Sequence, residues 1–219
     1  MVKSNRLMFS SGTPARSTPI DSGVPTLMST PVSNPDILPA SVQSRTGGPS
    51  FSLQHRVERV IWGVAWAVLA RWTPPPLHRW RRLVLNAFGA KLAANARVYG
   101  AAKVWYPRNL VMEENAVMGP GVICYSMAPI TIGRDAIVSQ RAHLCAGTHD
   151  VDDPLFQLRA YPIVVGAKAW VAAEAFVGPG VTIGEGAVLG ARGVTVKDLP
   201  DWTVSAGNPA RRIRERKRF

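Results

Sequence analysis

From Met112 to Gly193 an aliphatic residue keeps returning at six-position spacing, and very few folds accept that period. Each such residue is followed by a small one at the next position and by another small or β-branched one at the fourth after it. Met112-Glu113 with Ala116 opens the series and departs only at the second position. Met118-Gly119 with Val122, Ile132-Gly133 with Ala136, Val138-Ser139 with Ala142, and Leu144-Cys145 with Thr148 follow. The second half is more regular: Val165-Gly166 with Ala169, Val171-Ala172 with Ala175, Val177-Gly178 with Val181, Ile183-Gly184 with Ala187, and Leu189-Gly190 with Gly193.

A period of six matches neither the α-helix at 3.6 nor the two-sided strand at 2. It does match a coil of three short strands whose corners repeat, eighteen residues making one triangular turn. The aliphatic residues then point inward and stack from coil to coil at the usual strand spacing of about 4.8 Å. Small residues at the second and fourth positions are expected to let the chain turn its corners without clash. The expected fold class is therefore an all-β solenoid, a parallel β-helix whose two ends alone expose strand edges. The period by itself does not give the handedness.

The flanks divide the chain. Residues 1–52, rich in Ser, Thr, Pro and Gly without periodicity, read as a disordered tail. Residues 53–92 read as basic amphipathic helices. Val57, Ile61, Val64, Ala65 and Val68 recur at helical spacing, Trp72-Thr73-Pro74-Pro75-Pro76 ends the first helix, and Arg79, Arg81 and Arg82 flank Trp80 in a second. The reading preferred for these helices is a cap over the open end of the solenoid; peripheral contact with an anionic membrane surface is the other. The solenoid is assigned to 93–207 with a loop at 149–164, and 208–219 to a basic C-terminal tail.

With 26 Lys+Arg against 14 Asp+Glu the net charge is +12, which suits anionic partners: nucleic acid, an acidic membrane surface or a polyanionic cofactor. The only cysteines, Cys124 and Cys145, lie within repeats, so no disulfide framework is expected and a reducing compartment fits. No apolar core of signal-peptide length follows Lys3 and Arg6. The run Val60 to Ala70 is too short for a span that needs about 20 residues.

Residues 55–219 resemble the bacterial hexapeptide acetyltransferases, and among them those of colanic acid and exopolysaccharide biosynthesis. The resemblance rests on Leu77-His78-Arg79-Trp80-Arg81-Arg82, on Ala128-Pro129-Ile130-Thr131-Ile132-Gly133, on Gly147-Thr148-His149-Asp150 and on Ala206-Gly207-Asn208-Pro209-Ala210. It implies a left-handed β-helix, a homotrimer, and acetyl-CoA as acetyl donor in the groove between neighbouring subunits. A saccharide acceptor and a cytoplasmic location, peripheral to the inner membrane, are implied as well. By motif position it places Trp170, Ala173 and Ala191 along the pantetheine groove and Lys197 and Arg214 near the anionic nucleotide end. Where the maltose and galactoside acetyltransferases hold their sugars with an Asn and an Asp, this chain aligns Gly119 and Met127, so their acceptor specificity does not transfer.

Acetyl transfer to a hydroxyl needs a base near neutrality, and imidazole suits it. His149 stands where the rhythm breaks, since Leu144 to Val165 spans 21 residues. Asp150, Asp152 and Asp153 follow it, and Asp150 is the preferred helper. No nucleophile for an acyl-enzyme is evident, so direct transfer is expected. Three other readings stand beside this one. An antibiotic or small-amine acetyltransferase would use the same base and cofactor. A zinc enzyme like the β-helical carbonic anhydrases would need three histidines where the repeats offer His143 and His149, and no metal is expected. A noncatalytic nucleic-acid-binding protein rests on charge alone.

Overall fold

The computed structural model describes residues 36–39 and 49–219. Most of the segment read as a tail therefore lies outside the described residues. Within it, Ile37 bridges Phe51 in antiparallel fashion, and Leu38 N–H donates to the Ser50 carbonyl at 3.0 Å. Helix α1 (Leu53–Leu69) begins on Ser52, whose hydroxyl accepts from His55 N–H, and helix α2 (His78–Ala87) follows the three prolines.

The chain then winds into a left-handed parallel β-helix of about six turns. The first coil is β1 (Lys91–Leu92), β2 (Arg97–Val98) and β3 (Lys103–Val104); the second is β4 (Leu110–Met112), β5 (Val117–Met118) and β6 (Ile123–Tyr125). The third is β7 (Ile130–Ile132), β8 (Ile137–Val138) and β9 (His143–Cys145), from which the hairpin β10 (Gly147–His149) and β11 (Leu158–Ala160) departs. The fourth is β12 (Ile163–Val165), β13 (Trp170–Val171) and β14 (Phe176–Val177), and the fifth is β15 (Thr182–Ile183), β16 (Val188–Leu189) and β17 (Val194–Thr195). β18 (Thr203–Gly207) and β19 (Ala210–Glu215) close the stack. The first face is β1-β4-β7-β12-β15, the second β2-β5-β8-β13-β16-β18 with β19 at its edge, the third β3-β6-β9-β14-β17.

Coil length departs from the expected eighteen residues. Leu92 pairs with Met112 and Met112 with Ile132, a repeat of 20, whereas Val165 pairs with Ile183 after 18. Every step from the first face to the second, and from the second to the third, takes six residues. The return from third to first takes eight at Val104 to Met112 and at Cys124 to Ile132, and 21 at Leu144 to Val165. Cys124, fully buried, fills the inward place that the aliphatic pattern skips. The β-helix therefore also begins earlier than the aliphatic series, its first coil carrying Leu92, Val98 and Val104 inward.

The corners work differently from the expectation as well. Where a corner uses a left-handed residue it is the third after the inward one, and it is often polar: Asn115, Asp135, Arg141, Lys168, Glu174 and Arg192 have φ between 56° and 59°. The residue just after the inward one is small because the next coil passes close to it. A Cβ on Gly133 would lie 2.7 Å from the Ala167 nitrogen, and one on Gly166 2.8 Å from that of Glu185.

An unfinished coil leaves strand edges bare, and the helices supply the missing partners. Asn86 takes both the N–H and the carbonyl of Leu92. Buried Arg81 donates to the carbonyls of Val98, Thr73, Pro74 and Pro75. Trp62 Nε1 donates to Val104 O at 2.7 Å and Trp66 Nε1 to Ala102 O at 3.1 Å. The inner side of α1 is thus His55, Trp62 and Trp66, while Val57, Ile61, Val64 and Val68 face outward. No helix among the described residues is long and apolar enough to cross a membrane. At the other end the basic segment 208–219 is pinned down. β19 pairs with β18, Arg216 donates to the carbonyls of Lys168 and Gly186, and Phe219 meets Trp202 edge-on.

Candidate active site

The corner between the third and first faces is where the chain leaves the stack. Ala146 N–H donates to Tyr125 O, and Tyr161 N–H returns to Ala146 O at 2.9 Å, so the hairpin has a fixed base. Its foot is Gly147, where an added Cβ would collide with the sulfur of Met127 and stand 3.2 Å from Tyr125 Cε1. The register pairs His149 with Leu158, and Asp150 N–H donates to Gln157 O at 2.8 Å. The tip is shaped by turns: Asp153 Oδ1 accepts from Leu155 N–H, and Phe156 N–H donates to Asp153 O.

His149 is exposed on this hairpin, its Nδ1 2.9 Å from the Phe156 carbonyl and its ring stacked on that of Phe156 at 4.3 Å. A carbonyl can only accept, so Nδ1 is the donor in this bond. The ring borders a hollow of about 40 Å³ lined also by Leu38, Ser50, Leu155 and Leu158. Asp150 does not orient the imidazole; its carboxylate meets Arg159 at 3.4 Å. Phe156 takes that place with its main chain, a role that no side-chain signature in the sequence announces. Asp153 serves the turn, and Asp152 is exposed.

His143 sits on β9 against the edge of Phe176, its pKa lowered by burial. Among the described residues no three His, Cys, Asp or Glu are grouped to share a metal ion. Burial raises both thiols, Cys124 to about 12.

The residues expected along the cofactor occupy other sides of the prism. Trp170 lies exposed on the second face with Nε1 donating to Ser139 Oγ at 2.8 Å. Ala173 and Ala191 occupy equivalent corners between second and third faces, one coil apart, linked by Arg192 N–H to Ala173 O at 2.9 Å. Beside them Glu174 bridges Arg192 and Arg141, and those partners hold its carboxyl below the usual range. Arg214 stands opposite Val204 at the edge of the second face. Lys197 departs from this group: it follows β17 at the third-to-first corner, the corner that two coils earlier carries the His149 hairpin. His149 and Lys197 thus share one corner of the prism, and Trp170, Ala173, Ala191 and Arg214 lie around the second face.

No family model matches the chain. Over 170 residues it is 43% identical to the protein described as colanic acid biosynthesis acetyltransferase WcaF of Escherichia coli (strain K12), a match covering 78% of this chain and 90% of that one. A maltose O-acetyltransferase from Clostridium difficile 630 superposes with a TM-score of 0.67 at 24% identity, over 76% of this chain and 90% of that one. A hexapeptide-repeat acetyltransferase from Vibrio cholerae, complexed with acetyl coenzyme A, superposes with a TM-score of 0.61 at 21% identity, over 76% and 91%.

Proposed function

Since the chain belongs to the colanic acid biosynthesis acetyltransferases, a branch of the hexapeptide-repeat acetyltransferases, we propose that it moves the acetyl group of acetyl-CoA onto a saccharide hydroxyl with His149 as general base. The observation that carries this reading is the 2.9 Å bond from Nδ1 of the exposed His149 ring to the Phe156 carbonyl, which fixes Nδ1 as the donor and so directs proton transfer to Nε2. His149 Nε2 takes the hydroxyl proton as the acceptor oxygen bonds to the thioester carbon. As the carbon–sulfur bond breaks, the imidazolium returns that proton to the departing thiolate. The Phe156 carbonyl steadies the transient cation and keeps its orientation.

The donor fits the residues around the second face. Trp170 offers a flat exposed ring, Ala173 and Ala191 keep their corner shallow for a narrow chain, and Arg214 supplies charge for phosphates. Because the base and this shallow corner lie on different sides of one prism, a complete site needs the hairpin of one protomer against the second-face corner of its neighbour. A homotrimer meets that need with three equal sites.

His149→Ala tests the reading. It should keep the assembly and its acetyl-CoA affinity while the transfer rate falls by about 10²–10⁴-fold. Mass spectrometry of the polysaccharide made with the variant should then lack the acetyl group. A rate equal to that of the unsubstituted chain would remove His149 from the chemistry.

A further inference from the structure

Helix α1 is apolar on two opposite sides, and its inner side is fully used by Trp62 and Trp66. Its outer stripe is bare: Val60 is 67% exposed, Val64 60% and Val68 61%, with Leu53, Val57 and Ile61 continuing it. From Leu53 to Val68 the stripe runs about 22 Å. At its C-terminal end Trp72, 72% exposed, and Trp80 extend the patch. Their indole N–H groups are already given to the carbonyls of Val68 and Leu69, so the rings present apolar surface outward. A helix apolar on two opposite sides needs a second cover.

The rim says what the cover is. Arg56, Arg71, Arg79 and Arg82 surround the patch, and among the described residues none of them makes an ion pair. The acid on this helix, Glu58, is turned to Tyr106 at 2.7 Å and to Arg108. An isologous contact with a second copy would set like charges against one another, whereas anionic headgroups beside acyl chains complement both the stripe and its rim. At 17 residues the helix is too short and too firmly bonded to the solenoid to span, so it lies flat.

We infer that the outward face of α1, with Trp72 and Trp80, docks the enzyme on an anionic lipid bilayer. The stripe enters the headgroup boundary, the indoles settle at the interface, and the arginines meet lipid phosphates. This surface is separate from the catalytic reading. Through Val104 and Ala102 the helix is anchored on the third face, which also bears the root of the His149 hairpin, so docking would turn that side of the prism toward membrane-borne acceptors.

Flotation of the full chain with vesicles of phosphatidylcholine and phosphatidylglycerol, and with phosphatidylcholine alone, tests the inference. Binding is expected on the anionic vesicles and should weaken on neutral ones and in high salt. The double change Val60→Glu and Val64→Glu, both in exposed positions, should lower partitioning at least about tenfold. Arg71→Glu should lower it at least about fivefold. Acetyl transfer to a soluble saccharide is read in parallel and is expected to stay unchanged in each variant, so a failure of the catalytic reading shows separately. No flotation with anionic vesicles, or flotation indifferent to Val60→Glu and Val64→Glu, overturns the inference. So does a change of sedimented mass in those variants, which would make the face a contact between copies.

Discussion

Phe156→Ala keeps the carbonyl that holds His149 Nδ1 but removes the ring stacked against the imidazole. Steady-state kinetics should show kcat reduced by about tenfold with acetyl-CoA binding intact, because orientation is loosened rather than lost. Asp150→Asn should cost less than about tenfold, since the carboxylate is turned to Arg159; a loss of 10²-fold or more would make Asp150 a partner in proton transfer after all. His149 could be picked out in the sequence because it stands where a six-residue rhythm fails. Phe156 could not, because it acts through a carbonyl that every residue type possesses. The corner residues carry the same lesson: smallness after the inward positions was readable, yet its cause is the next coil, whose backbone nitrogens would stand 2.7–2.8 Å from a Cβ added at Gly133 or Gly166. The left-handed turn itself falls to Asp135, Lys168 or Glu174, polar residues whose side chains meet Asn115, the Phe219 carbonyl and Arg192.

Among the elements, α1 shows where periodicity misleads. Its valines recur at helical spacing, and an amphipathic helix is ordinarily read as turning such a stripe inward. The three edge strands of the first coil require hydrogen-bond donors, however, and Trp62, Trp66, Arg81 and Asn86 can provide them where valine cannot. Packing thus followed the polar demand of the strand edge rather than the aliphatic stripe. Trp62→Phe leaves the Val104 carbonyl without its donor and should cost about 1–3 kcal/mol in chemical denaturation. Val60→Gln, on the outer side of the same helix, should change stability by no more than about 0.5 kcal/mol. Equal costs for the two would mean that the side of the helix was misassigned.

For the whole molecule, acidity acts through histidines that folding keeps neutral. His55, ringed by Phe51, Trp105 and Tyr106, has both ring nitrogens buried and unpaired among the described residues. Burial lowers its pKa below 6.5, with Asp36 and Glu58 opposing the shift and Arg59 adding to it; burial lowers His78 and His143 likewise. The unfolded chain therefore binds protons first as pH drops. Stability from these sites is complete above about 6.5 and is lost as pH falls toward the folded-state values. Thermal denaturation across that range should show the decline, and His55→Phe should flatten it. At the level of the assembly, His149→Ala and Ala191→Trp chains, each inactive alone, should regain part of the transfer rate when co-assembled, because some junctions then combine an intact base with an intact groove. No recovery would mean that each protomer holds its own complete site. Finally, the three sides of the prism do not share length variation: two junctions always take six residues, whereas the third takes eight at Val104 to Met112 and at Cys124 to Ile132, 21 at Leu144 to Val165 and six at Val177 to Ile183. Extra chain at that vertex shifts no register above or below it. The vertex is thus the place where this scaffold can trade one acceptor for another, by grafting a longer or shorter hairpin while every ladder of the stack stays in step.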